Sequence, residues 1–252
     1  MDIMKKKSFT LSQIAASFLT GALLFSGFSY AAADKDHEIE EAAQPAVQLY
    51  LENSVDEPTS TGGYVNGDVE VPDTLLENGT TYVPIRLIAD LLGKPVFWDQ
   101  INRSVSIGMP HVLLYDAAGN RIGMAKLKQT EDGVVVKIKA SGLTPGNHGF
   151  HVHEKMIQGN DFASAGGHFN PAEKQHGLEN PNGSHVGDMP NLVVDAKGKV
   201  KTELLIRHAT LEKNHSNSIL GRSLIIHAGE DDQKSDPAGN SGDRVAGGNI
   251  PE

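Results

Sequence analysis

The segment that most restricts the fold of this 252-residue chain runs from Lys155 to Pro190. It is rich in glycine, asparagine and proline and poor in apolar residues. It also holds His168, His176 and His185, with Asp188 three residues after the last histidine. A loop of that length in a compact domain is ordinarily functional or disordered, because burial alone cannot offset the entropy of ordering it. The chain contains no cysteine, so no disulfide can pin the loop. Three imidazoles and one carboxylate suit a closed tetrahedral zinc site, and metal binding would supply the order the loop lacks.

Two more histidines precede the loop, in Gly149-Phe150-His151-Val152-His153-Glu154. The run reads as a strand, and residues i and i+2 of a strand share a face, so both imidazoles can reach one point. An isolated His-x-His is more often an ordinary hydrogen-bonded pair, because imidazole has many uses. The wider pattern shifts that balance. His227 ends another expected strand, Leu224–His227, and a nitrogen-rich set without thiolates suits Cu(II), with zinc as the alternative. His37, His111, His148, His208 and His215 lie outside the series and read as structural or surface residues.

Residues 1–33 have a Lys5-Lys6-Lys7 head, an apolar stretch and an Ala31-Ala32-Ala33 end, the three-part layout of a secretory signal peptide. A retained membrane anchor is the alternative reading, against which the polar and glycine interruptions argue. The chain is then expected to be secreted or held at the cell surface. Residues 34–46 are polar and acidic and read as a linker. The net charge of −10 is unevenly spread: residues 34–110 carry four Lys/Arg against fourteen Asp/Glu, residues 111–252 fifteen against seventeen. That balance disfavours nucleic acid as a partner.

Residues 47–108 read as a small α+β domain. Turn signals at Asn66-Gly67 and Asn78-Gly79 flank short strands. Pro84 and Gly93 bracket a helix with Ile85, Ile88, Ala89 and Leu92 on one face. Pro95–Asp99 and Val105–Ile107 form a closing hairpin, with Trp98 expected in the small core. From His111 onward, short alternating strands separated by Gly/Asn/Asp turns indicate an all-β sandwich or barrel.

Two resemblances follow from these motifs. VNGDVEVPDTLLENGTTYVPIRLIADLLG with VFWD and VSI resembles the copper amine oxidase-like N-terminal domain, a module of exported proteins of Gram-positive bacteria. It implies placement through cell-wall or surface contact, and no tyrosine stands in a setting for amine oxidase chemistry. GFHVHEKM, GGHFNPAEKQHG, SHVGDMPNL, IIHAGEDD and AGNSGDRVAGG, in that order over about residues 111–250 of the second domain (111–252), strongly resemble copper/zinc superoxide dismutase. This resemblance implies a mainly β, Greek-key fold with copper and zinc as cofactors and the superoxide anion as substrate. It implies copper ligands His151, His153, His168 and His227, and zinc ligands His168, His176, His185 and Asp188. His168 is then a bridging, catalytic imidazole, Arg244 the arginine that draws superoxide in, and Asp231 the carboxylate orienting one histidine of each metal.

One departure stands out. The family usually ties its long loop to the barrel with a disulfide, and here Phe162 and Gly247 stand at those positions. Loss of such a bridge typically costs about 2–5 kcal/mol unless packing or metal compensates. The rival reading is a non-catalytic copper-binding or cell-surface protein on the same scaffold.

Overall fold

The computed structural model describes residues 64–66, 69–71 and 74–252. The expectations for the signal peptide, the acidic linker, the first strand of the small domain and His37 lie outside the described residues. The chain divides into two compact units, 1–96 and 97–252. The boundary between the units falls at the start of the hairpin expected to close the small domain.

In the first unit, strands β1 (Tyr64–Asn66) and β2 (Val69–Val71) pair antiparallel, as do β3 (Leu75–Glu77) and β4 (Thr80–Tyr82). The second pair turns through Asn78 (φ 49°) and Gly79 (φ 75°), the left-handed backbone that Asn-Gly adopts in tight hairpins. Helix α1 (Ile85–Leu91) buries Leu87 and Ala89. The expected stripe had placed Leu92 inward and passed over Leu87. Leu92 instead caps the helix and is 53% exposed, because the helix stops one residue before it.

Strands β5 (Val96–Asp99) and β6 (Ser104–Ile107) pair with each other. Trp98 is half-buried, while its neighbours Phe97 and Asp99 are buried. Strand alternation gave Phe97 the inward position. Trp98 exchanges backbone hydrogen bonds with Glu252, tying this hairpin to the chain's last residue.

The main sheet has seven antiparallel strands: β7 (His111–Asp116), β8 (Arg121–Thr130), β9 (Gly133–Ser141), β11 (Phe150–His153), β13 (Lys199–Arg207), β14 (Ser223–His227) and β15 (Arg244–Asn249). Their spatial order is β11-β14-β15-β7-β8-β9-β13, and β10 (Gly146–His148) pairs separately with β12 (Leu192–Val194). The fold is mainly β, a curled sheet of the expected Greek-key type. Every second residue points inward: Val112 and Leu114, Ala125 and Leu127, Val134 to Ala140, and Val200 and Ile206 form one core with Phe150, Val152, Leu224 and Ile226.

Strands β11 and β14 are buried on both faces. Phe150 and Val152 face the core, so His151 and His153 face away from it and are covered by the 155–190 loop. Strand β15 has little strand signal in its sequence, because glycine and alanine dominate RVAGGN. Its glycines allow close approach: a Cβ on Gly247 would lie 2.7 Å from the Leu224 carbonyl oxygen, and one on Gly248 would run into the Leu113 carbonyl.

Candidate metal centre

The long loop returns to β11 twice. Glu154 N–H donates to Gly167 O (3.0 Å), Phe169 N–H to Val152 O (2.8 Å) and Val152 N–H to Gly187 O (2.9 Å). These bonds set His168 beside His153 and Asp188 beside His151. A kink in the β14–β15 ladder between Ile226 and His227 brings His227 to the same spot. The structure thus assembles His151, His153, His168 and His227 as one buried group. His168, His176, His185 and Asp188 form a second that shares His168, with donor atoms within each group all inside 4.8 Å of one another.

Hydrogen bonds on the outer nitrogens define which atoms face inward. His153 Nδ1–H donates to Gly166 O (2.9 Å) and His227 Nδ1–H to Gly242 O (3.0 Å). Their Nε2 atoms therefore carry lone pairs, and these face each other across 3.4 Å. His151 Nε2–H donates to Asp231 Oδ2 (2.8 Å), leaving its Nδ1 buried and without a partner; His168 Nε2 is likewise buried and unpartnered. Four inward nitrogens with no proton to share repel one another unless a cation sits among them. A nitrogen-only set of this kind suits copper.

The second group converges on one oxygen. The Nδ1 atoms of His168, His176 and His185 lie 3.0, 3.0 and 3.2 Å from Asp188 Oδ1, while Asp188 Oδ2 accepts the backbone N–H groups of Gly177 and His185. His176 Nε2–H donates to Asp231 Oδ1 (3.0 Å). Three imidazoles and a carboxylate crowding one point match a tetrahedral zinc ion, with Nδ1 of each ring as the donor.

Asp231 joins the two groups, since its two oxygens accept from His151 and His176. Its own backbone is clamped by Asn191, whose side chain donates to Asp231 O (2.8 Å) and accepts from Asp231 N (2.9 Å). Neither Asn191 nor the orienting carbonyls of Gly166 and Gly242 was legible in the sequence, because backbone groups and a lone asparagine leave no spacing signature. His148 is structural: its Nδ1 lies 2.6 Å from the His227 carbonyl oxygen, and its Nε2 stands beside the carbonyl and hydroxyl oxygens of Thr144.

The electrostatics separate the groups. Burial, together with repulsion among the rings, holds His151 neutral down to about 3, His153 to about 2 and His227 to about 4. Burial opposes charge on His176 as well, but its bonds to Asp188 and Asp231 outweigh that and raise it to about 9. Burial pushes Asp188 upward, yet its three histidine partners hold it well below the usual carboxylate range. Asp231 is lowered to about 2 by His151 and His176 against the same burial effect.

Arg244 opens β15. Its guanidinium donates to the carbonyls of Phe162 (2.7 Å), Ala163 (3.3 Å) and Gly166 (2.6 Å), all from the 3-10 turn Phe162–Ala165 and its end. Its charge contributes to depressing His153 and His227. Beneath the same turn, Phe162 packs with Ile157, Ala165 and Ile225, and side chains of Ile157 and Ile225 fill the space a Cβ on Gly247 would need. An apolar clamp thus holds this part of the loop against β14 and β15. Phe162→Ala is expected to cost about 3 kcal/mol, read from urea unfolding of the metal-loaded protein. A loss below about 1 kcal/mol would show that the clamp contributes little.

The chain is similar to known proteins. The family model for copper/zinc superoxide dismutase matches residues 121–250, and the copper amine oxidase N-terminal domain matches residues 60–139. A superoxide dismutase [Cu-Zn] of Aquifex aeolicus is 48% identical over 145 residues, covering 56% of this chain and 86% of that protein. An extracellular superoxide dismutase [Cu-Zn] of Brugia pahangi is 39% identical over 147 residues, 55% of this chain and 73% of that one. The crystal structure of a superoxide dismutase-like protein from Bacillus subtilis superposes with a TM-score of 0.53 at 41% identity, over 55% of this chain and 95% of that one.

Proposed function

Since the chain belongs to the copper/zinc superoxide dismutase family, with copper and zinc as its cofactors, we propose that it is a secreted dismutase converting superoxide to oxygen and hydrogen peroxide. The observation carrying this reading is the complete pair of donor groups sharing His168. Bound copper supplies one-electron chemistry, oxidising one superoxide to oxygen and reducing the next, with two protons, to hydrogen peroxide. His151, His153, His168 and His227 would hold it, and His168, His176, His185 and Asp188 would hold zinc.

The side chains then have distinct tasks. Asp231 fixes the tautomers of His151 and His176, so that each presents Nδ1 to its metal. His168 presents Nε2 to the copper group and Nδ1 to the zinc group. That Nε2, buried and without a partner, is the atom that would hold a proton whenever it is not holding copper. Arg244 is a permanent cation held by three carbonyls, a fixed attractor for a small anion that needs no reorganisation as the anion arrives.

The signal-like residues 1–33 and the extracellular relatives support export, and the front domain over 47–108 supports placement at a surface. A second reading, copper binding without turnover, draws on the relative described only as superoxide dismutase-like. Metal analysis of the purified protein beside a superoxide-consumption assay separates the two. Near-stoichiometric copper and zinc without dismutation would leave the binding reading and sink the enzymatic one. Arg244→Ala is expected to lower the rate by about tenfold with copper content unchanged, and to flatten its dependence on ionic strength. Parallel loss of copper and rate would contradict a steering role.

A further inference from the structure

The barrel carries a second feature that the metal centre does not use. With Ala125, Leu127, Val136, Ile138, Val200 and Ile206 facing the core, the residues between them face outward. On the adjoining strands β8, β9 and β13 those positions include Lys126, Lys128, Lys137, Lys139, Lys199 and Lys201, all exposed. Lys126 lies opposite Lys137, and Lys139 opposite Lys201. Like charges directly opposed across a ladder destabilise the sheet. Glu203, paired with Lys137, is the one carboxylate within the three strands.

At one end of this face Arg121, Met124, Lys139, Lys199 and Lys201 line an open concavity of about 530 Å³. Its carboxylate, Asp195, accepts the backbone N–H groups of Lys197 and Lys199. The whole chain carries a net charge of −10, so the cluster is not a by-product of basic composition.

We propose that the outer face of β8, β9 and β13 docks a flexible polyanion of phosphodiesters joined by short polyol spacers, with the chemistry of poly(glycerol phosphate). Lysine binds phosphate as a mobile point charge. A protein partner fits less well, because lysine is depleted from protein interfaces and no exposed aromatic anchor stands on these strands. A flexible polymer can follow the curled face of the three strands, whereas bending a rigid duplex onto it costs energy. Same-face lysines recur every second residue, about 6.6–6.8 Å along a strand, which suits phosphates held apart by spacers.

The test is isothermal titration of the full, metal-loaded chain with poly(glycerol phosphate). Four to six neutralised phosphates predict an affinity loss of roughly 50- to 300-fold between 50 and 200 mM salt. The double variant Lys139→Glu/Lys201→Glu should bind at least about tenfold more weakly, while Lys94→Glu/Lys213→Glu, with the same charge change elsewhere, should bind as the parent does. Lys139→Thr/Lys201→Thr guards against a folding artefact: it should melt no lower than the parent and still lose affinity. No binding at 50 mM salt, or unchanged binding by the Lys139/Lys201 variants, overturns the proposal. So does binding to polyglutamate or duplex DNA as tight as that to poly(glycerol phosphate).

Discussion

Withdrawing zinc is expected to lower the melting temperature of the second unit by about 8–16 °C. The 155–190 loop contributes few apolar side chains to the core, and the chain has no cysteine to close it. Its order rests on its backbone bonds to β11, the Phe162 clamp and the zinc group. A ligand present at a thousand times its dissociation constant stabilises by about 4 kcal/mol, and each kcal/mol moves the midpoint of a domain this size by about 2–4 °C. Metal loss also leaves three imidazoles and a carboxylate crowded on one point, with His176 protonated up to about pH 9 and bound by Asp188 and Asp231. That residual network keeps the unit from unfolding outright. Calorimetry with and without chelator, after metal analysis confirms zinc loss, gives the answer, and an unchanged melting curve would refute the expectation.

His168→Ala should have the largest effect on activity. His168 is the one residue common to both donor groups, so its removal takes a nitrogen from each. Even a residue that only orients a metal ligand costs about 10- to 100-fold in metal affinity or activity. Loss of the shared ligand should exceed about 100-fold in dismutation and leave both metals below stoichiometry. Asp231→Asn makes the graded comparison: it keeps every ligand and disturbs only tautomers and ring orientation, so it should fall within the 10- to 100-fold range. A His168→Ala protein with full copper, full zinc and parental turnover would remove His168 from its role.

Much of the second unit was legible in advance because strand alternation is a strong local signal. Val134, Val136, Ile138 and Ala140 face the core as their spacing requires, and Phe150 with Val152 leave His151 and His153 on the opposite side. Each difference between expectation and structure has its own physical reason. Strand β15 was hidden because glycines that permit close packing also erase strand propensity. Leu87 replaced Leu92 in the helix of the first unit because a stripe of apolar residues does not mark where a short helix ends. Trp98 gave way to Phe97 because one residue of register exchanges the two faces of a strand.

By itself the sequence determined the set of candidate metal-binding groups: six histidines and two aspartates, an arginine late in the chain, and a loop too polar to fold by burial. Those are properties of residue type and spacing, which a chain carries whether folded or not. Only the tertiary structure decided which nitrogen of each ring faces inward. That choice is made by Gly166 and Gly242 carbonyls, the Asp231 carboxylate and the Asn191 clamp, contributed from distant parts of the chain. It likewise decided that lysines from three strands form one face, since opposition across a ladder depends on register and not on nearness in sequence.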